Sequence, residues 1–239
     1  MKINPDTICK KITNAYVSLN HSLGWRFINS SKNTLSKNSG IALITLNPGG
    51  DKYEKPICSL EENNNAYLDE NWTIYAKGQD PLQKQIQYLF QEIHKRTLKY
   101  DSSENLIRNS FMAHFVPFRS PNFDSLHSKK ESVEFSMSLW KEIINSENFN
   151  FSLIICIGKE QFEKFEKIFN TYKNYELIKT EMVPTGWGNY QSIINRYKKD
   201  GEIITLVYLQ HLSRFRIFNR ENGKEQVNLL LNTITEGLK

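Results

Sequence analysis

Residues 41–51 read IALITLNPGGD, and this stretch decides the fold class. Its first six residues form an apolar run without polar alternation, which is typical of a strand buried on both faces in a parallel sheet under helices. The run breaks at Asn47-Pro48-Gly49-Gly50, where proline cannot continue a central strand and two glycines let the backbone approach a ligand closely. Taken alone, the stretch is most simply interpreted as a tight turn that leaves a core strand. Because ligands of open α/β sheets bind beyond the carboxyl ends of strands, Asn47 is also a candidate for chemistry.

Three other apolar stretches follow this pattern, with helical segments between them. They predict strands at residues 110–116, 151–157 and 203–209. Apolar residues at helical spacing predict helices at residues 81–93, 127–146, 159–169 and 222–237. This order predicts an α/β fold, a three-layer α/β/α sandwich with a central, mainly parallel four-stranded sheet. Right-handed crossovers would then place all four strand ends at one edge.

The remaining segments are assigned to the same domain, which spans residues 1–239. Residues 1–40 are predicted to be an N-terminal helical extension, because apolar residues recur at helical spacing over residues 5–29. Residues 51–77 are polar and irregular, and a segment of this length is predicted to be a long insertion near the site. A Lys-Asp-Gly sequence at residues 199–201 predicts a hairpin.

Composition limits the class of protein. The chain has 239 residues, 39% of them hydrophobic, and a net charge of +5 that permits a nucleic-acid partner without requiring one. Its three cysteines, Cys9, Cys58 and Cys156, are far apart, which argues against a zinc site or an iron–sulfur cluster made by cysteines alone. No apolar run approaches membrane-spanning length. We therefore expect a reduced, cytoplasmic protein without a membrane partner.

Polar side chains lie at the ends of the predicted strands. The first strand ends at Asn47, the second carries His114 near its end with Arg119 beyond it, and the fourth ends at His211 and Ser213. If the four ends share one edge of the sheet, these side chains converge there. His211 alone is more simply a surface histidine, so the prediction rests on the combination.

The combination resembles the uracil-DNA glycosylase superfamily. The matching blocks are Asn-Pro-Gly after the first buried strand, Val-Pro-x-Arg-x-Pro at residues 116–121, Cys-Ile-Gly-Lys at residues 156–159, and His-x-Ser at residues 211–213. The resemblance covers residues 41–215. It implies a DNA glycosylase that flips a base out of the duplex and hydrolyses its N-glycosidic bond, with no cofactor or metal.

The resemblance also implies roles for individual residues. Asn47 would orient the attacking water, and His211 would hydrogen-bond the departing base. The phosphates would be held by hydroxyls, backbone amides and cations, and a wedge would lie in the loop after His211. The candidates for these DNA contacts are Pro48, Gly49, Gly50, Arg119, Ser120, Ser213, Arg214, Phe215 and Arg216.

Two departures from the family leave the substrate open. The family commonly has asparagine at the base-reading position where this chain has His114, and imidazole offers a different set of donors and acceptors. The segment at residues 51–77 is longer than compact members need, and its Trp72 and Tyr75 could stack on a flat base or pack the segment onto the body. Together they suggest a modified, bulkier pyrimidine-type base in place of uracil.

Gly78-Gln79-Asp80-Pro81 matches the water-activating motif of one branch of the superfamily. No apolar strand precedes it and a helix follows it, so Asp80 is interpreted as a helix N-cap. Asp51 could supply a carboxylate, but a capping or surface role is the simpler interpretation.

Two other functions remain open. One is a catalytically silent nucleic-acid-binding module on the same scaffold, and the other is a hydrolase of free nucleosides or nucleotides. We expect a monomer that binds DNA, and repair and defence against foreign modified DNA are both open as roles.

Overall fold

A computed structural model of the chain describes residues 3–62, 64–72, 74–147, 149–172 and 174–238. Its helices are α1 Pro5–Ser18, α2 Pro81–Thr97, α3 Ser103–Arg108, α4 Lys129–Ile144, α5 Lys159–Thr171 and α6 Lys224–Thr235. Its strands are β1 Gly24–Ile28, β2 Ile41–Thr45, β3 Ile57–Glu61, β4 Phe111–His114, β5 Leu153–Ile157, β6 Glu176–Pro184, β7 Gln191–Lys199 and β8 Glu202–Leu209. Short 3₁₀ turns occur at Lys32–Leu35 and Phe123–Ser125.

The predicted α/β class is confirmed, but the sheet is larger than predicted. It has eight strands in the order β3-β1-β4-β2-β5-β8-β7-β6 and mixes parallel and antiparallel pairs. The four strands predicted from apolar runs, β4-β2-β5-β8, are adjacent and mutually parallel. The prediction of a four-stranded sheet is wrong because two strands are added at each side of this parallel quartet.

The added strands lack the signal that identifies a fully buried strand. β3 and β6 are the outermost strands, and most of their residues are exposed or half-buried. The predicted hairpin is confirmed as β7 and β8, which pair antiparallel around residues 199–201. The helical region predicted over residues 5–29 is confirmed for α1 alone, since Gly24–Ile28 forms β1, a buried strand between β3 and β4.

Helices pack on both faces of the sheet. Alternate residues of β2 enter different hydrophobic clusters: Ala42 and Ile44 pack with residues of α1, α4 and α5, whereas Ile41 and Leu43 pack with residues of α2, α3 and α6. This alternation follows the two-residue period of a strand. The continuous apolar run of β2 is therefore explained by burial on both faces. No helix within the described ranges is long and apolar enough to cross a membrane.

Candidate functional site

The ends of the parallel quartet bring the predicted polar residues to one edge of the sheet. Thr45 pairs with His114 across β2 and β4, and Ile157 pairs with Leu209 across β5 and β8. Asn47 and His211 each follow their strand by two residues at this edge. β5 lies between their strands, so about 10 Å separates the strand ends at the usual strand spacing. No hydrogen bond joins Asn47 to His211 among the described residues.

The Asn47 amide is held in one orientation by Pro48 and by Ser120, which lies beyond the end of β4. Its Nδ2 donates to Ser120 Oγ at 2.9 Å and to the Pro48 carbonyl at 3.1 Å. Since a carbonyl can only accept, the nitrogen must face Pro48, and Oδ1 remains without a hydrogen bond in the described part of the chain. Ser120 Oγ in turn donates to the Asn122 carbonyl at 2.7 Å. The half-buried Asn47 thus presents an acceptor that can orient a water molecule.

Arg119 supports the glycine turn. Its Nη1 donates to the Gly49 carbonyl at 3.1 Å, and its Nη2 donates to Glu62 Oε1 at 2.6 Å. A Cβ atom at Gly50 would lie 2.7 Å from Arg119 Cβ, so only glycine allows this approach. Arg119 was predicted to bind phosphate, but here its guanidinium is paired with a carboxylate inside the protein.

Sequence reasoning missed a buried ion cluster beside the site. Nη2 and Nη1 of Arg26, in β1, donate to the two carboxylate oxygens of Glu70 at 2.7 and 3.0 Å. Arg26 also lies 3.5 Å from Glu62, the partner of Arg119. The sequence GWRFI at residues 24–28 carried a signal, because an arginine inside an apolar run needs a buried partner. The cluster fixes Glu62 and Glu70 of the long segment against β1 and the segment that follows β4.

The two aromatic residues predicted to stack on a base differ in position. Trp72 is half-buried, donates from Nε1 to Glu70 Oε2 at 3.0 Å, and meets the Tyr67 ring edge to face at 5.6 Å. Trp72 therefore packs the segment onto the body. Tyr75 remains exposed at the surface. A cleft of about 620 Å³ in this segment is lined mainly by carboxylates and amides, including Glu62, which does not suit a phosphate backbone.

His114 is buried and neutral. Its Nδ1 lies 2.8 Å from Thr45 Oγ1, and its Nε2 has no hydrogen bond among the residues described. Burial, followed by the charges of Arg26 and Arg119, holds the pKa of His114 well below 6.5. Burial also raises the pKa of the neighbouring Tyr67 hydroxyl to about 12. The His114 imidazole and the Tyr67 hydroxyl are therefore both uncharged at neutral pH.

His211 is exposed and is oriented by its own loop. Its Nδ1 lies 2.7 Å from Ser213 Oγ, and the backbone amides of Arg214 and Phe215 donate to its carbonyl. Displacement of water by surrounding atoms, followed by the charge of Arg214, lowers the pKa of His211 below 6.5. The imidazole is therefore neutral at physiological pH, and Ser213, predicted to bind phosphate, sets its orientation.

The wedge candidates differ in exposure. Arg214 and Arg216 are exposed, and neither forms an ion pair with any residue that the structure describes. Phe215 is half-buried between Tyr190 and Trp187, at ring-centroid distances of 4.7 and 6.2 Å. Phe215 thus packs in the loop, whereas the two arginines point charge toward solvent.

The two alternative carboxylates have structural roles. Asp80 is the N-cap of α2 in a capping box with Gln83, as predicted. Asp51 is exposed and accepts a hydrogen bond from the backbone amide of Tyr53. Within the described residues, no group of three or more His, Cys, Asp or Glu side chains could hold a metal ion.

No family model matches the chain, and no curated protein is significantly similar to it in sequence.

Proposed function

We propose that the chain is a DNA glycosylase, built on a three-layer α/β/α scaffold, that hydrolyses the N-glycosidic bond of a flipped-out uracil or modified pyrimidine-type base. One observation carries this proposal: an oriented amide acceptor and two neutral imidazoles lie along one edge of the parallel quartet β4-β2-β5-β8. The two carboxylates considered as a catalytic base, Asp51 and Asp80, instead accept hydrogen bonds from nearby backbone amides. Of the four sequence blocks that resemble the uracil-DNA glycosylase superfamily, two supply Asn47 and His211, whereas His114 lies outside them.

Bond cleavage in this site depends on stabilising the leaving group. As the N-glycosidic bond breaks, its electron pair moves to the base and the sugar gains oxocarbenium character. Asn47 is a neutral amide, so it orients the water that attacks the sugar carbon but cannot take its proton. A hydrogen-bond donor must therefore stabilise the negative charge that develops on the base. Such electrostatic stabilisation is usually the largest contribution to the rate.

His211 is placed to be that donor. If the Ser213 hydroxyl donates to Nδ1, the imidazole proton resides on Nε2 and is available to a bound base. The lowered pKa means that the ring donates as a neutral imidazole, without a full positive charge. The proton that water loses on attack ends on solvent or on the departed base.

His114 reads the base with fewer groups than asparagine would. The Thr45 hydroxyl lies 2.8 Å from Nδ1 but 3.4 Å from the Ala113 carbonyl, which favours donation to Nδ1 and leaves a proton on Nε2. A single donor can bind any pyrimidine with a carbonyl at that edge. The carboxamide of asparagine has both a donor and an acceptor, so it requires the base to match both. This favours a wider choice of base, including modified ones.

The experiment is a panel of duplex and single-stranded oligonucleotides carrying uracil, modified uracils and modified cytosines. Wild type should leave alkali-labile abasic sites, and Asn47→Ala and His211→Ala should each reduce the rate by about 10²–10³. His94→Ala, on the last turn of α2 and away from the edge, is the matched control and should keep wild-type rates.

The panel separates the three functions. Retarded oligonucleotides without alkali-labile sites would favour the silent binding module. Release of base from free nucleosides as fast as from DNA would favour a nucleoside hydrolase. Cleavage by Asn47→Ala at the wild-type rate would show that Asn47 does not orient the attacking water.

A further inference from the structure

The loop at residues 185–190, between β6 and β7, lies at the same edge as His211. β7 runs antiparallel to β8, and Ile193 pairs with Tyr208, so the start of β7 lies beside the end of β8. Gln210 Nε2 donates to the Gln191 carbonyl at 2.7 Å and fastens the two ends together. The β6–β7 loop therefore borders the proposed active site, although no role has been assigned to it so far.

This loop is held in shape by its own hydrogen bonds. The Oγ1 of buried Thr185 donates to the Tyr190 carbonyl at 3.0 Å and accepts from the Trp187 amide at 3.3 Å. The Tyr190 amide donates to the Trp187 carbonyl at 3.1 Å. Both aromatic side chains are thus presented from a closed turn, which lowers the entropy lost when a ligand binds.

The start of α6 braces the loop from the other side. A Cβ atom at Gly186 would lie 2.7 Å from the Gly223 carbonyl oxygen, and one at Gly223 would lie 2.7 Å from the Gly186 oxygen. Both residues have positive φ, +71° and +81°. The two backbones can touch only because both residues are glycine, and this contact positions Arg220 over the loop.

Cationic and aromatic groups combine at this surface. The Arg220 guanidinium lies 4.2 Å from the Trp187 ring centroid, and its Nη1 donates to the Gly186 carbonyl at 3.4 Å. Tyr190 is 50% exposed, although its ring edge packs on Phe215. We call Trp187, Tyr190 and Arg220 the aromatic platform.

A cleft and free positive charge adjoin the platform. A cleft of about 530 Å³ lies between the loop and α6, bounded by Tyr190, Gln191 and Gln226, and its size is within the range of small-ligand pockets, roughly 300–1,000 Å³. Arg214 and Arg216 follow His211 and have no ion pair among the described residues. Stacking surfaces beside unpaired cations are what proteins use to bind single-stranded nucleic acid.

We propose that the aromatic platform stacks an unpaired base of the DNA strand that flanks the flipped nucleotide, while Arg214 and Arg216 contact its phosphates. The identity of the partner rests on the proposed function. The glycine-lined, hydrogen-bonding cleft and the charge complementarity favour a nucleotide over an apolar protein segment. The platform would hold the strand beside His211 and so set the preference for locally unpaired DNA.

The test measures affinity for a fluorescent single-stranded oligothymidine by anisotropy with the full chain. Tyr190→Ala should weaken binding about tenfold, and Tyr190→Phe, which keeps the ring, should bind like wild type. Tyr100→Ala is the matched control: Tyr100 is 41% exposed and follows α2 at the opposite edge of the sheet. A second ligand of the same length, made of abasic residues, should bind wild type and Tyr190→Ala equally.

The outcomes separate this proposal from the proposed function. If the protein excises a base but wild type, Tyr190→Ala and Tyr100→Ala bind the oligothymidine equally well, the proposed role of the aromatic platform is refuted. The proposed glycosylase function is unaffected by that result. The expected binding pattern without excision of any base would support the platform and refute the glycosylase. Failure of wild type to bind the oligonucleotide would overturn the platform.

Discussion

The Nε2 atom of His114 combines burial with an unused hydrogen-bonding capacity. Nδ1 is fixed by Thr45 at 2.8 Å, and the ring is neutral because burial and two arginines oppose its protonation. The Nε2 atom is therefore defined in both position and protonation state. In the proposed glycosylase, His114 would determine which base edge is accepted without adding charge to the site.

His114→Asn should change the choice of base. The carboxamide pairs one donor and one acceptor, so we expect kcat/KM for uracil to rise relative to modified bases. Thr45→Val is the companion variant, because it frees the ring and should lower kcat/KM for all bases alike. Unchanged ratios in His114→Asn, with no modified base cleaved, would show that His114 does not read the base.

His21 predicts a pH dependence of stability. Its Nε2 lies 2.9 Å from Ser132 Oγ and its ring stacks on Phe118, and burial followed by His127 lowers its pKa from 6.5 to about 4. Between these two values the unfolded chain binds a proton that the folded chain does not. The free energy of unfolding should therefore fall as the pH drops below 6.5, by about 2 kcal/mol from this residue at pH 5.

Urea unfolding at pH 7.5 and pH 5 measures this effect. His21→Asn should lose less stability than wild type between the two values, whereas His94→Asn should follow wild type. Equal losses of unfolding free energy in wild type and His21→Asn would contradict the lowered pKa of His21.

Elements buried on both faces were predictable from sequence, and outer elements were not. β2, β4, β5 and β8 read as apolar runs because helices cover both sides, and their parallel order then fixed where Asn47 and His211 lie. β3 and β6 lie at the two sides of the sheet with mostly exposed or half-buried residues, so they carry no such run. β1 contains Arg26, whose buried partners come from residues far along the chain, and no local pattern encodes them.

Helix α2 provides a test of the Gln-Asp-Pro sequence before it. Asp80 Oδ1 accepts from the Leu82 amide at 2.8 Å, and Gln83 completes the capping box. Asp80→Ala should cost about 1 kcal/mol of unfolding free energy, whereas Asp80→Asn should be nearly neutral because asparagine caps as well. Both variants should excise bases at the wild-type rate. Loss of excision in Asp80→Asn would identify Asp80, and not Asn47, as the residue that activates water.

At the scale of the whole molecule, charge is divided between the interior and the site edge. Arg26 and Arg119 are neutralised by Glu62 and Glu70 inside the fold. These arginines therefore fix the long segment against the sheet and contribute little to attraction of a polyanion. If the protein binds DNA as proposed, its net charge of +5 acts through surface residues instead. Arg214 and Arg216, which follow His211 closely in sequence, have no ion pair among the described residues.

The salt dependence of binding to duplex DNA measures how much the surface arginines contribute to the attraction of DNA. Each phosphate contact contributes about 0.9 to the slope of log affinity against log salt concentration. Arg214→Gln and Arg216→Gln should each reduce the slope by about this amount, because within the described part of the chain no ion pair or hydrogen bond competes for their side chains. Lys37→Gln is the matched control: Lys37 is exposed and precedes β2, at the opposite edge of the sheet, so it should leave the slope unchanged. If Lys37→Gln lowered the slope as much as the arginine variants, DNA would be attracted by net charge alone. The edge of the sheet at His211 would then not be the DNA-binding face.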